Sequence, residues 1–324
     1  MNKSGVDSEV CDLFPCKRDQ VLEDFNNYCN HQLHLYTKNR NFDLGYPHEN
    51  VSKLSPYLRR RLVSENEVLQ IALEHNSLSS LEKFIQEIFW RTYWRGWLEM
   101  RPDVYEDYLN SHSKPNLPGK TGIKCFDHWT EELKETGYLH NHARMWYASI
   151  WIFTLRKSWV SGAKFFADHL VDWCPASNTL GWRWVAGLQT KGKMYVAKAD
   201  NIRLFTNDKF FPKGELNESP IFDYNLWKDY ERSSDISYVK PDFSTREDIG
   251  VVINKNDLSL NHYLSKENIY FKGCIFHNPE YQPSKSVSVK KFETGLIEQL
   301  CLELPGYDFC QSKESLINWA RSQK

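Results

Sequence analysis

The sequence has no long apolar run, no closely spaced cysteine pair and no excess of charge of one sign. In 324 residues the formal net charge is −1, so the chain as a whole lacks the basic footprint of a general nucleic-acid binder. No stretch reaches the length of a membrane span, and the first residues lack the apolar core of a signal peptide. We therefore expect a soluble, cytoplasmic protein without a membrane partner.

The cysteines are scattered along the chain. There are eight of them, and none forms a C-x-x-C pair. Zinc ribbons and thioredoxin-like redox motifs depend on such pairs, so the pattern predicts no metal site and thiols that stay reduced.

Aromatic residues are abundant. They make up 15% of the chain, with 12 tryptophans, which favours either a thick helical core or a stacking site. Between Thr136 and Phe210 ten Lys and Arg residues stand against four Asp residues, a local charge of +6. A local positive field of this kind attracts phosphates.

Within that region the segment DHLVDWCPASNTLGWRW concentrates chemically useful side chains. It contains an acid (Asp172), a thiol (Cys174), an amide (Asn178) and two indoles (Trp182 and Trp184). Such a set indicates a pocket for a planar ligand with polar edges, although a Trp-rich helical core remains the alternative interpretation.

A second segment, TGYLHNHARMWYAS, lies upstream. Asn141, Arg144 and Met145 stand at i, i+3 and i+4, so they share one face of a helix. A guanidinium among these side chains suits a phosphate-bearing ligand; the alternative is a single structural Arg–Asp pair.

Two earlier segments add to the pattern. The turn SKLSPYL (52–58) places two hydroxyls at a helix start closed by Pro56, where backbone N–H groups can bind an anion. The apolar period predicts a long helix over Leu81–Met100, with Glu87, Trp90 and Arg91 on a common face. The sequence also predicts a turn-rich loop over residues 109–120 and helices over Cys125–Glu135 and His140–Arg156.

Read together, the motifs resemble the photolyase and cryptochrome family. TGYLHNHARM, DW-PASN--GW-W, SKLSPYL, QEIFWRTYWR and TGIKCFDHW match its motifs in the family's order, over about residues 20 to 215. The resemblance implies a mainly α fold with an all-helical FAD-binding domain. It also implies a short form, because the α/β antenna domain that normally precedes the helical domain is not found ahead of residue 20.

The resemblance implies that FAD is the cofactor. The side chains at the family's cofactor positions are Tyr36, Ser52, Leu54, Ser55, Arg91, Asn141, Arg144, Asp172, Cys174 and Asn178. Two positions depart from the pattern: Val51 replaces a threonine of the phosphate loop, and Cys174 replaces an aspartate. The change to valine removes a hydroxyl donor, and the change to cysteine makes the cofactor site less negative.

The family's lesion-contact positions are also occupied. They hold Glu87, Trp90, Asn141, Met145 and Trp184. The resemblance therefore implies light-dependent splitting of cyclobutane pyrimidine dimers in UV-damaged DNA, with single-stranded or distorted DNA preferred because the net charge is low. A six-four activity is disfavoured, since Asn141 and Met145 stand where six-four enzymes carry histidines.

Two alternatives stay open. One is a cryptochrome-like blue-light sensor that signals to a protein partner through its C-terminal segment. The other is a flavin-binding structural relic without photochemistry.

The electron relay of the family is only partly retained. Trp182 and Trp159 occupy its inner two positions, whereas the third position falls near Glu106 and holds no tryptophan. A substitute must be another oxidisable ring, and helical spacing does not choose among Tyr105, Tyr108, Trp129, Trp146 and Trp151.

Composition divides the chain into a polar leader (1–17), a helical domain (18–215) and a linker with a C-terminal accessory segment (216–324). The runs IGVVIN and IYFKGCIF are strand-like, and VSVKKFETGLIEQLCLEL and SKESLINWARSQ are helix-like. The sequence therefore predicts a small α/β appendage, folded separately from the helical domain.

Overall fold

The computed structural model describes residues 13–111, 119–233, 250–259, 273–277, 285–303, 308–310 and 312–322, and this part of the chain is mainly helical. The α-helices before the strands are α1 (Arg18–His31), α2 (Tyr36–Asn39), α3 (Ser55–Arg59), α4 (Glu65–His75), α5 (Leu78–Glu99), α6 (Pro102–Asn110), α7 (Lys124–Thr136), α8 (Asn141–Ser149), α9 (Trp159–His169), α10 (Pro175–Val185) and α11 (Ala199–Phe205). Single 3-10 turns lie at Leu33–Leu35 and Tyr224–Leu226.

The C-terminal part alternates strands and helices. Its elements are β1 (Gly250–Asn254), β2 (Gly273–His277), α12 (Val287–Glu303), β3 (Asp308–Cys310) and α13 (Lys313–Ser322). The strands form a parallel sheet in the order β1-β2-β3, with Val252 paired to Ile275 and Ile275 to Asp308. The mainly α fold with a small C-terminal α/β part is therefore confirmed.

Local signals explain where several helices begin and end. Ser64 and Glu67 form a reciprocal capping box at the start of α4, which satisfies two backbone N–H groups. Helix α7 ends at Gly137, whose φ of 72° is a left-handed conformation that glycine adopts without strain. The helix predicted over Leu81–Met100 is α5.

The helix predicted over His140–Arg156 differs in one respect from an ordinary α-helix. It is α-helical only as far as Ser149, and Ile150–Thr154 form a π-helical turn. A π turn holds one more residue than an α turn, so it shifts the side chains that follow it around the helix axis.

The first hydrophobic core joins the N-terminal helices to the C-terminal segment. Phe14 is fully buried and contacts the rings of Tyr57, Tyr138 and Phe292 at centroid distances of 6.4, 5.5 and 6.0 Å. Because Phe14 and its neighbour Leu13 are buried, the polar-leader interpretation of residues 1–17 does not extend to them. Residues 1–12 lie outside the described part.

The second core is a stack of aromatic side chains around α7, α8 and α9. Trp129, Trp146, Trp151 and Phe165 are fully buried, and Trp151 stacks on Phe165 with an interplanar angle of 8°. This core forms the back of the region where α8 and α10 meet α5. The predicted loop at 109–120 includes residues 112–118, which lie outside the described part.

In the described part of the chain, no helix has both the length and the apolar character that crossing a membrane requires.

Candidate functional site: a buried ion pair between α8 and α10

The candidate site lies where α5 and α8 pack against α10. Helix α10 starts at Pro175, a residue whose fixed φ suits the first helical position. The loop before it carries Asp172 and Cys174, and the start of α3 approaches the same loop. Four segments that are distant in sequence thus converge on one buried carboxylate.

Arg144 and Asp172 form a two-pronged ion pair. Arg144 Nη1 donates to Asp172 Oδ1 over 3.0 Å, and Nη2 donates to Oδ2 over 2.9 Å. The Ser55 hydroxyl adds a third hydrogen bond to Oδ2, at 2.5 Å. Asp172 is only 2% exposed. Burial raises the pKa of this carboxyl group, but Arg144 and Ser55 outweigh burial and hold the pKa below its usual value.

Arg91 approaches the same loop from α5. Its Nη2 makes only a long contact of 3.5 Å to the Ser55 carbonyl, and its buried Nη1 has no hydrogen-bond partner among the described residues. A buried guanidinium N–H without a partner is costly, so this donor fits a polar ligand beside Asp172.

Cys174 is the N-cap residue of α10 and is 3% exposed. Burial raises the pKa of its thiol. Arg91, a hydrogen bond from the Ser177 backbone N–H, and Arg59 outweigh burial, so the pKa of Cys174 lies below its ordinary value. The Cys174 thiol therefore loses its proton more readily than an ordinary cysteine thiol does.

Three further predicted cofactor residues belong to the local backbone framework. The Asn178 side-chain oxygen accepts a hydrogen bond of 2.8 Å from the Cys174 backbone N–H, which ties the loop to α10. Leu54 is buried and is the N-cap residue of α3, and Ser52 is half-buried in the turn before it. The hydroxyl of Ser55, predicted to contact a phosphate, is instead engaged by Asp172.

Glu87 and Tyr36 are linked through Arg40. Glu87 forms an ion pair with Arg40, whose guanidinium also bonds the Tyr36 hydroxyl. Burial and the nearby Glu87 carboxylate raise the pKa of Tyr36 to about 12, although Arg40 opposes the shift. The partner of Glu87 thus comes from the end of α2 and not from α5 itself.

The remaining predicted lesion contacts lie at the accessible side of the site. Trp90 is 47% exposed, and Asn141 is exposed at the first position of α8. Met145 and Trp184 are half-buried, and Trp184 stacks on Tyr195 at 5.3 Å. The structure therefore brings the ion-pair residues into direct contact, and Asn141 and Met145 lie on the same helix as Arg144.

The two relay tryptophans lie in the aromatic core. Trp182 is 3% exposed, contacts the rings of Phe166 and Trp151, and has an indole N–H without a partner among the described residues. Trp159 stacks on Tyr108 at 6.1 Å. Tyr108 in turn stacks on Tyr105 at 5.5 Å. Of the five candidate rings, these two tyrosines continue the series from Trp159.

Three consecutive arginines follow the turn SKLSPYL, and their guanidinium groups bond residues outside that turn. Arg59 donates to the Trp173 carbonyl and to Asn256. Arg60 pairs with Glu293 at 2.8 Å, and Arg61 pairs with Asp257 at 3.3 Å. The charges of Arg60 and Arg61 are therefore directed into the C-terminal segment, whereas Arg59 bonds both that segment and the loop before α10. No sequence period could have indicated partners so distant.

Comparison with known families agrees with this geometry. Residues 84–215 match the family model described as the FAD binding domain of DNA photolyase. The matched range begins in α5 and includes α8, α10 and the Arg144–Asp172 pair. This part of the chain is therefore similar to the FAD binding domain of DNA photolyase, and it lies within the span over which the motifs resemble that family.

Curated relatives carry the corresponding name. The chain is 34% identical over 174 residues to the deoxyribodipyrimidine photo-lyase of Streptomyces griseus, covering 47% of this chain and 38% of that protein. It is 30% identical over 190 residues to the protein of the same name from Alkalihalophilus pseudofirmus, covering 55% and 39%. It is 26% identical over 224 residues to the Escherichia coli protein of that name, covering 63% of this chain and 46% of that protein. The chain thus spans less than half the length of these relatives.

Among solved structures, a Synechocystis cryptochrome aligns with a TM-score of 0.49 and 21% identity, covering 59% of this chain and 43% of that chain. A class III photolyase from Agrobacterium tumefaciens aligns with a TM-score of 0.49 and 19% identity, covering 94% and 59%.

Proposed function

We propose that this chain is a light-driven DNA repair flavoprotein of the photolyase type, and that it splits cyclobutane pyrimidine dimers in UV-damaged DNA. The observation that carries the proposal is the convergence of Arg91, Cys174 and the Arg144–Asp172 pair in a segment whose family model describes FAD binding. The unpartnered N–H groups of Arg91 and Trp182, on the facing helices α5 and α10, fit a polar, planar group.

The chain's own residues divide the work of holding such a group. Arg144 keeps Asp172 ionised, so that the pair presents fixed dipoles toward a polar ring edge. Arg91 offers a free donor, and Asn178 orients the loop that carries Cys174. Ser52 and Leu54 place the turn before α3 beside this loop, and Tyr36 is positioned by Arg40. When bound, FAD supplies light absorption and the transferable electron.

The accessible side chains indicate where the damaged bases would bind. A damaged pair is easier to flip out of a duplex than an intact one, and single-stranded DNA needs no flipping. We propose that Trp90 and Trp184 stack on an extruded pair of bases and that Asn141 and Met145 contact the same pair. Glu87, held by Arg40, offers a carboxylate to a base edge. We propose single-stranded or distorted DNA as the preferred substrate, because the net charge is only −1.

The decisive experiment measures dimer repair by the FAD-loaded, chemically reduced protein, in blue light and in the dark. Glu87→Ala should abolish most repair while retaining the bound flavin. Glu82→Ala is the matched control, because Glu82 lies exposed on the same helix. A protein that cannot be loaded with FAD would contradict the proposal, as would one that leaves dimers intact under light in both single and double strands.

A second candidate function is light sensing through the C-terminal segment. It is favoured by the direct bonds from Arg59, Arg60 and Arg61 to residues 255–257 and to Glu293, which connect the C-terminal segment to the helix beside the site. In that case light should alter the protease sensitivity of the C-terminal segment or its affinity for a protein partner, with no dimer repair.

A further inference from the structure

One face of α5 carries a row of aromatic side chains that leads away from the candidate site. Trp90, Trp94, Trp97 and Arg101 are spaced i, i+4, i+7 and i+11, so they follow one side of the helix and its C-terminal end for about 16 Å. Trp90 stacks on Trp94 with centroids 5.7 Å apart, and the Arg101 guanidinium lies 4.5 Å from the ring of Trp97. The row thus contains one stacked pair of tryptophans and one cation–π contact, and it ends in a positive charge.

A cleft of about 390 Å³ lies alongside this row. It is lined by Thr92, Tyr93, Gly96, Trp97, Met100, Arg101 and Arg232. Tyr93 is 53% exposed, and the missing side chain of Gly96 leaves its floor open, since a Cβ there would meet nothing within 4 Å. The Ser233 backbone N–H donates to the Met100 carbonyl at 2.9 Å, which holds the Arg232 segment against the end of α5.

The cleft therefore combines two aromatic rings with two guanidinium groups. Exposed rings that stack on bases, together with cations that follow the phosphates, are the means by which proteins hold single-stranded nucleic acids. Among the nearby carboxylates, Glu99 lies opposite Trp90 on α5, three residues after Gly96 and seven after Thr92, so it borders the cleft on the side away from Trp90. Glu231 is exposed beside Arg232. The charged residues that line the cleft itself, Arg101 and Arg232, are both positive.

We propose that the aromatic row and its cleft form a second nucleic-acid subsite, which binds undamaged nucleotides of a single strand next to the lesion. The inference rests on the proposed function, because Trp90 belongs both to the lesion contacts and to the row. It adds residues that need neither light nor the cofactor to bind a strand. Its effect is to position the strand, so that a dimer lying among undamaged bases is presented to the site.

The experiment uses the full chain loaded with FAD and kept in the dark. A fluorescently labelled oligothymidylate without lesions is titrated at several salt concentrations, and binding is followed by anisotropy. Tyr93→Ala should weaken binding by about fivefold or more, since it removes an exposed stacking surface. Arg101→Gln should weaken binding and reduce the slope of log K against log salt by about 0.7, the value for one phosphate contact on a single strand.

Matched controls come from another exposed cation–aromatic contact. The Arg203 guanidinium lies 4.9 Å from the ring of Phe211, which is 40% exposed. Phe211→Ala and Arg203→Gln remove the same chemistry from a surface outside the proposed subsite, and strand affinity should stay unchanged in both. Tyr93 is preferred to Trp97 as the test position because Trp97 also packs against a buried cluster around Leu98.

The outcomes separate the two proposals. If Tyr93→Ala and Arg101→Gln bind the strand as tightly as the unaltered protein, the subsite is overturned even where dimer repair is intact. If both variants lose strand affinity and the protein repairs nothing, the subsite stands and the repair function fails. Displacement of the strand by a free mononucleotide or by excess FAD, with no dependence on strand length, would identify the cleft as a small-molecule site and overturn the inference.

Discussion

At the scale of single residues, the central feature is a carboxylate that stays charged although it is almost completely buried. Asp172 receives two hydrogen bonds from Arg144 and one from Ser55. Such a pair is stable only while every member is present, since removing one partner leaves an uncompensated buried charge.

We expect Arg144→Ala to lower the free energy of unfolding by about 3 kcal/mol at neutral pH and to weaken FAD retention. Because Arg144 and Ser55 outweigh burial and depress the pKa of Asp172, their stabilisation is present above the ordinary carboxyl pKa and is lost as the pH falls below it. The difference in the free energy of unfolding between the Arg144→Ala variant and the unaltered protein should therefore become smaller at acidic pH. Urea unfolding at neutral and acidic pH measures it. Arg203→Ala is the control, since its pair with Asp208 is 49% and 82% exposed.

Cys174 gives a second prediction at this scale. Its lowered pKa yields more thiolate at neutral pH than Cys29 or Cys125, because burial raises the pKa of each of those thiols to about 12. In protein freed of FAD, a small alkylating reagent should modify Cys174 well before those two, and added FAD should protect it. Peptide mass spectrometry reports the order. Equal labelling of all three thiols, or labelling of Cys174 that FAD does not slow, would contradict the expected order.

The sequence identified the members of the ion pair but not all of their partners. Arg144 and Asp172 stand out because each belongs to a motif with a fixed internal spacing. The bond from Ser55 to Asp172 and the pairing of Arg40 with Glu87 join residues 117 and 47 positions apart. No local period extends over such separations, so these contacts become visible only when the chain is folded.

At the scale of elements, α9 and α10 approach each other closely through Gly162. A Cβ at this position would lie 2.3 Å from the six-membered ring of Trp182, so the absence of a side chain creates the space that the indole occupies. The other neighbours of the indole are the packed rings of Phe166 and Trp151. The indole must therefore keep this position if it is to transfer electrons.

We expect Gly162→Ala to destabilise the protein by about 1–3 kcal/mol, as overpacking does, and to slow photoreduction by an external reductant. Gly181→Ala is the matched control: Gly181 lies in helix α10, and an added methyl group would meet nothing within 4 Å, so the change should stabilise the helix by up to about 1 kcal/mol. Thermal unfolding and the rate of flavin bleaching under blue light measure the two effects. A Gly162→Ala protein with unchanged photoreduction would place the electron path elsewhere.

Periodicity predicted most elements near this site but missed one. The apolar repeat located α5, α7 and α12 because each has a regular period of 3.6 residues. The π turn at Ile150–Thr154 interrupts that period within a continuous run of helix. A single wide turn has no composition of its own, so the sequence indicated an uninterrupted helix.

At the scale of the whole molecule, a buried charge cluster joins the C-terminal segment to the end of α3. Glu293 on α12 accepts hydrogen bonds from Arg60 and from Lys285 and Lys255. Burial raises the pKa of Glu293, but these three cations outweigh burial and lower it from its ordinary 4.5 to about 2.

We expect Glu293→Gln to reduce the free energy of unfolding by about 3 kcal/mol at neutral pH, since one pKa unit corresponds to about 1.4 kcal/mol. The depressed pKa means that this stabilisation is present above pH 4.5 and is lost as the pH falls toward 2. Glu298→Gln, exposed on the same helix, should change little. Urea unfolding across this pH range, followed by both helical signal and flavin release, measures the effect. A Glu293→Gln protein as stable as the Glu298→Gln protein would show that the cluster contributes nothing net.

The shift in composition near residue 215 indicated where the motif-bearing part ends, and that boundary remains a prediction. Composition could not reveal that Phe292 and Leu296 of α12 are buried in the same core as Phe14 and Tyr57. A shared core of this kind favours cooperative unfolding of both parts, and it argues against the independent folding that the sequence suggested.

The stacked series Trp159, Tyr108 and Tyr105 has a consequence for the protons of the site. A phenol that gives up an electron becomes a strong acid and releases its proton, whereas an oxidised indole can keep its own for longer. Burial raises the pKa of Tyr108, so its proton is firmly bound before the ring is oxidised. Loss of this proton therefore accompanies loss of the electron. Photoreduction that uses these rings should therefore be slower in heavy water. The lifetime of the charge-separated state would then be set by proton transfer rather than by the distance between the rings.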